Sequence, residues 1–132
     1  MRKRPACLPL FFLVFLISCA APAPAGSMLT LPSGRQIKAL SAGPVFGAGG
    51  KRLGVIFRYE TELKVSDKTA LRKEVDEIFS VIRQDAEREK ETSLTVSAIE
   101  KSSGTFIKST HGYNFVFERA PDGSWHCLDD QK

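Results

Sequence analysis

The chain has 132 residues, 42% of them hydrophobic and 26% charged, which is room for one ordinary domain with a buried core and excludes a disordered composition. Its formal charge of +4 owes three bases to Arg2, Lys3 and Arg4; cleavage before Cys19 leaves 16 Lys and Arg against 15 Asp and Glu, a net charge of about +1. So balanced a charge argues against nucleic acid as a partner.

Behind the basic cluster runs an apolar stretch over residues 8–17, followed by the small residues Ser18, Ala20 and Ala21, the pattern of an export signal. Ten residues rise only about 15 Å as a helix, roughly half a bilayer core, which is too short for a permanent span. The boundary Leu16-Ile17-Ser18-Cys19 resembles the lipobox of bacterial lipoproteins, in which an aliphatic and a small residue precede the modified cysteine. The resemblance implies a signal peptide over residues 1–18, a diacylglyceryl group on the Cys19 thiol, cleavage just before it, and a fatty-acyl chain such as palmitate on the new amine. Each buried methylene contributes about 0.8 kcal/mol, so two or three chains hold a protein to a bilayer effectively permanently. Lipoproteins kept at an inner membrane tend to carry aspartate next; Ala20 stands there, which implies the outer membrane, facing the periplasm, in a cell that has two. The rival is a soluble export signal cut after Ala21 or Ala25. Cys7 leaves with the leader and Cys19 is blocked, so Cys127 has no internal partner and is expected to be a buried apolar filler rather than an intermolecular pairing site.

Residues 20–27 contain Pro22 and Pro24 and no apolar period, and read as a tether. Residues 28–31 and 36–40 flank Pro32-Ser33-Gly34, a turn between two short strands. Residues 42–50, rich in glycine and interrupted by Pro44, are expected to form a loop pinned by Val45 and Phe46. The clearest strand follows, with Leu53, Val55, Phe57, Tyr59, Thr61, Leu63 and Val65 on one face, a period that favours an antiparallel sheet covered on one side. Ser66 or Asp67 caps a helix running to about Lys90, with Leu71, Val75, Ile78, Phe79, Ile82 and Ala86 as its apolar stripe. Leu94, Val96 and Ala98 alternate in a further strand, Phe106 and Ile107 suggest more pairing, and Tyr113, Phe115 and Phe117 form a strand that meets residues 125–128 across Ala120-Pro121-Asp122-Gly123.

The fold expected is α+β, a two-layer sandwich in the order βββαβββ, with an antiparallel sheet of about six strands, one long helix across it, and a single domain over residues 28–132. The terminal hairpin resembles the end of NTF2-like domains, although the single central helix departs from their helical start.

Candidate chemistry is sparse. His126 and Cys127 adjoin, but neighbours on a strand point to opposite faces, so they do not make a thiolate and imidazole pair. His111 and His126, with Asp129 and Asp130, match no metal-ligand spacing. Glu74, Asp76, Glu77 and the acids of residues 87–91 read as helix surface. Gly47-Ala48-Gly49-Gly50-Lys51 resembles a phosphate loop only superficially, since Val45 and Arg52 stand where the Walker pattern needs glycine and a hydroxyl residue. No cofactor, metal or catalytic residue is assigned.

The expected function is therefore a non-enzymatic, lipid-anchored envelope lipoprotein that binds a protein or envelope component or serves structurally. Tyr113, Phe115 and Trp125 are its candidate interaction surface. A carrier or enzyme with a pocket between helix and sheet is the rival class. An inhibitor or immunity lipoprotein is a third reading; lysozyme inhibitors carry Ser-Gly-x-x-Tyr, and here Ser103-Gly104-Thr105-Phe106-Ile107 ends in isoleucine.

Overall fold

The alternating strand-formers and the single 3.6-period stripe assemble, in a computed structural model that describes residues 26–102 and 110–131, as one six-stranded sheet with one helix on it. The strands are β1 (Met28–Thr30), β2 (Gln36–Phe46), β3 (Arg52–Thr61), β4 (Ser93–Glu100), β5 (Gly112–Arg119) and β6 (Trp125–Cys127), and α1 (Lys68–Arg88) lies between β3 and β4. Their order in space follows the chain, β1-β2-β3-β4-β5-β6. This is the expected α+β sandwich. The leader, Cys19, the segment with Phe106 and Ile107, and the Ser103 to Ile107 motif lie outside the described residues.

The sheet is mixed rather than wholly antiparallel. Four neighbouring pairs are antiparallel, but β3 and β4 run parallel, in register from Val55 with Leu94 to Thr61 with Glu100. The helix between them returns the chain to the end of the sheet from which β3 began, so β4 must repeat its direction. Alternation reports which faces are covered and is silent about the direction of the neighbouring strand.

Residues 42–46 are strand, not loop. Pro44 pairs with Val55, and β1 flanks β2 only as far as Lys38, with Gly26 and Ser27 bonding Ala39. Among the described residues the outer edge of β2 is therefore free around Pro44, and its missing N–H breaks no second ladder. The reversal is confined to a tight turn, where Gly47 donates to the Lys51 carbonyl at 2.8 Å and Gly49 and Gly50 both take φ 76°. This glycine run makes a single 3-10 turn over Ala48–Gly50 between two antiparallel strands and opens no α-helix, unlike a phosphate loop.

Register shifts leave Leu40 as an extra residue on β2 and Leu53 as one on β3, and Leu53 is exposed rather than buried. Gly54 has φ 157°, and a Cβ there would lie 2.4 Å from the Ser93 carbonyl oxygen, so only glycine lets β4 start against β3. Strand β3 stops at Thr61; Leu63 and Val65 lie in the connection and pack on the core edge.

Asp67 caps α1, its carboxylate accepting from the Ala70 N–H at 3.1 Å. The helix closes at Lys90, which takes φ 57° while Glu91 N–H donates to the Ala86 carbonyl at 2.9 Å and Lys90 N–H to that of Glu87 at 3.1 Å. Leu71, Val75 and Ile78 are fully buried against Phe57, Val96, Phe115 and Phe117 of the sheet, and Cys127 is a buried free cysteine, as expected of a filler. Phe79 stacks on Phe117 with centroids 4.1 Å apart and meets Trp125 edge-on at 5.6 Å. The opposite face of the sheet carries Arg58, Asn114, Glu118 and His126, all exposed.

Candidate interaction surface

Strand periodicity places Tyr113, Phe115 and Trp125 on the face that α1 covers, and the packing decides what they do there. Phe115 is 3% exposed and belongs to the core, while Tyr113 and Trp125 are half-buried at its margin. The Trp125 indole N–H donates to Glu87 Oε1 at 3.0 Å, which anchors it to α1. The three aromatics therefore form no exposed patch; they seal the helix–sheet seam.

Tyr113 and Phe115 border a depression of about 550 Å³, completed by Lys68, Thr69, Arg72, Lys73, Asp129 and Asp130. The first turns of α1 supply its bases and the short helical turn Leu128–Gln131 its acids. Most of that charge is matched internally. Arg72 reaches Asp130 with two nitrogens at 2.6 and 3.0 Å and Asp76 with Nε at 2.8 Å. The bond to Asp130 holds the guanidinium firmly protonated and the Asp130 carboxyl below the usual range. Lys68 Nζ stands 2.7 Å over the Tyr113 ring, and the Tyr113 hydroxyl donates to Asp129 Oδ1 at 3.3 Å. The arrangement ties the C-terminal turn to the helix and leaves Lys73 as the outward charge.

His126 and Cys127 diverge as the strand period requires: the imidazole is exposed, while the thiol is buried beneath α1, and burial pushes its pKa up. A thiol so placed is neither ionised nor reachable by its neighbour. A contact not foreseen from the sequence lies beside them. Ser124 Oγ donates to Asp122 Oδ1 at 2.6 Å and sits 3.0 Å from His126 Nε2. The residue types are those of a hydrolytic triad in the wrong order, because the hydroxyl proton is committed to the carboxylate and the carboxylate does not orient the imidazole. Asp122 is held below its ordinary pKa by these Ser124 bonds, as suits a turn cap on a surface hairpin. His111 is exposed just before β5; among the described residues no three His, Cys, Asp or Glu side chains gather as a metal site.

Two acids read as helix surface are buried. Glu74 is 1% exposed, pairs with Arg35 from the β1–β2 turn, and accepts from the Thr61 hydroxyl at 2.6 Å. The Tyr59 hydroxyl is buried close by without a well-formed hydrogen bond; burial first, and the Glu74 charge second, push its ionisation well up. Glu91 is 6% exposed and paired with Arg52 at the start of β3. Position 74 lies three residues after Leu71 and four before Ile78, inside the apolar stripe, and that spacing was the signal available in the sequence. Through an arginine, Glu74 ties α1 to the β1–β2 turn and Glu91 ties the segment after α1 to the start of β3.

Among known proteins, the chain matches no family model, no curated protein and no solved structure.

Proposed function

We propose that the protein is a lipid-anchored envelope lipoprotein, held through Cys19 to the outer membrane and facing the periplasm, whose domain is a non-enzymatic binding or structural module. The observation that carries this reading is Leu16-Ile17-Ser18-Cys19 at the end of a basic and apolar leader, seven residues ahead of Gly26, where the described domain begins. The interior supports a module rather than a carrier: Phe57, Phe115, Phe117 and the α1 stripe fill the centre of the space between helix and sheet, and the depression at its margin beside Tyr113 is lined largely by charges that pair with one another. Its nucleophile candidates also support it: Cys127 is buried with a raised pKa, and the Ser124 proton is held by Asp122.

Mass spectrometry of the N-terminus of protein purified from membranes tests the anchor. Native protein is expected to begin at Cys19 with acyl mass, and Cys19→Ser to leave the membrane fraction. An intact leader with an unmodified thiol, or unchanged partitioning of the variant, overturns the reading.

A further inference from the structure

The end of the β2–β3 hairpin is the one place where the described domain presents large apolar side chains close together in water: Phe46 is 58% exposed and Leu53 50%. Leu53 folds over Gly47 and lies across the turn from Phe46, while Ala48, Gly49, Gly50 and Lys51 are exposed between them. The direction of the chain gives this tip its context. Strand β1 runs antiparallel to β2, and Gly26 N–H bonds the Ala39 carbonyl at 2.7 Å, so the chain followed back from Thr30 to Gly26 runs toward the end of β2 that bears Phe46. From Ala39 to Phe46 is seven residues of strand, about 23 Å. From Gly26 back to Cys19 is also seven residues, at most about 25 Å. The level of the hairpin tip is therefore within reach of a lipid on Cys19.

Charge is distributed to match. The chain contains no Asp or Glu before Glu60, so the stretch from Gly26 to Tyr59 carries Arg35, Lys38, Lys51, Arg52 and Arg58 with no acid, whereas all fifteen acids follow. Arg52 is drawn to Glu91 and Arg35 to Glu74, which leaves Lys51 at the tip, with Lys38 and Arg58 exposed along the same two strands. An apolar tip bearing the exposed Lys51 is suited to an anionic lipid leaflet, into which apolar side chains sink roughly 5–10 Å.

We infer that the β2–β3 hairpin end rests on the anionic leaflet that holds the lipid anchor, with Phe46 and Leu53 in the headgroup boundary and Lys51 against lipid phosphate. The inference rests on the anchoring reading, and fixes which end of the domain faces the bilayer: the Glu62 end points away from it, as does the turn at Pro32.

The test uses the full chain, expressed with its leader and reconstituted into phosphatidylethanolamine–phosphatidylglycerol vesicles with or without brominated acyl chains. Phe46→Trp adds an indole at the tip, Ala48→Trp a second one on the exposed turn, and Glu62→Trp a control at the far end, where Glu62 makes only a 3.4 Å contact with Lys101. The added emission at positions 46 and 48 is expected to fall roughly twofold with brominated lipid, and that at 62 to stay unchanged. Unquenched indoles at 46 and 48 in protein that carries acyl mass on Cys19 overturn the hairpin contact and leave the anchor standing. Protein without acyl mass overturns the anchoring reading itself. Equal quenching at 46 and 62, or a blue shift at 46 that follows protein concentration without vesicles and marks a second copy as the occupant, also overturns the inference.

Discussion

Phe115 and Phe46 are strand phenylalanines of one sheet, 3% and 58% exposed respectively. The first lies on β5 beneath α1, where helix and sheet close on each other; the second lies at the end of the β2–β3 hairpin, where no second layer covers it among the described residues. Alternation along a strand marks a face that is able to be buried, and a covering element decides whether it is. The two regions also differ in how charge is held. Beneath and beside α1, Arg72 and Lys68 are absorbed by Asp76, Asp130 and an aromatic ring, whereas Lys51 at the hairpin tip is exposed.

The comparison breaks most plainly through those two rings. Phe115→Ala is expected to destabilise the domain by about 3–5 kcal/mol in urea unfolding, since the cavity it leaves is walled by strands and helix. Phe46→Ala is expected to stay within about 0.5 kcal/mol of wild type. Equal losses would show that the tip is packed in solution.

Exposure at the hairpin end does not mean looseness, and Gly54→Ala sharpens the point. The added methyl meets the Ser93 carbonyl at a position with φ 157°, so a loss of about 2 kcal/mol is expected, together with faster amide exchange at the start of β4. A neutral result would mean that β3 and β4 separate there at little cost.

The smallest effect concerns the charge pair on the helix-covered side. The folded-state pKa of Asp130 lies below the ordinary 3.8, so its bond to Arg72 stabilises the fold above that value and the contribution disappears as pH falls through the folded pKa. Asp130→Asn is expected to lower stability slightly at pH 7, and the deficit to shrink as pH falls below 3.8 and through the folded pKa; unfolding curves along the acid limb check this. A deficit that does not shrink with falling pH would assign Asp130 a packing role instead. Because Asp130 is exposed, the difference is also expected to shrink in high salt.

Much of the architecture was readable from residue pattern because the signals were local. The α1 stripe predicted a helix from Ser66 or Asp67 to about Lys90, and Asp67 does cap a helix that ends at Arg88 with its closing turn at Lys90. Turn chemistry placed the β1–β2 reversal at Pro32 to Gly34 and the β5–β6 reversal at Ala120 to Gly123, and the strand period separated His126 from Cys127. The candidate site was less readable: Tyr113, Phe115 and Trp125 were correctly placed on strands, but whether they faced a helix or water depended on what lay above them.

The sequence by itself determined the six strands, the single helix, the one-sided apolar face and the motif at Cys19, because spacing, caps and turn residues act over a few positions. Only the tertiary structure decided that β3 and β4 run parallel, that Pro44 continues a strand, that Glu74 and Glu91 are buried against arginines, and that Phe46 stands in water. Each of these depends on which neighbour arrives from a distance: a helix that reverses the chain, an edge left unpaired, a guanidinium close enough to neutralise a carboxylate, or a second layer that ends too soon.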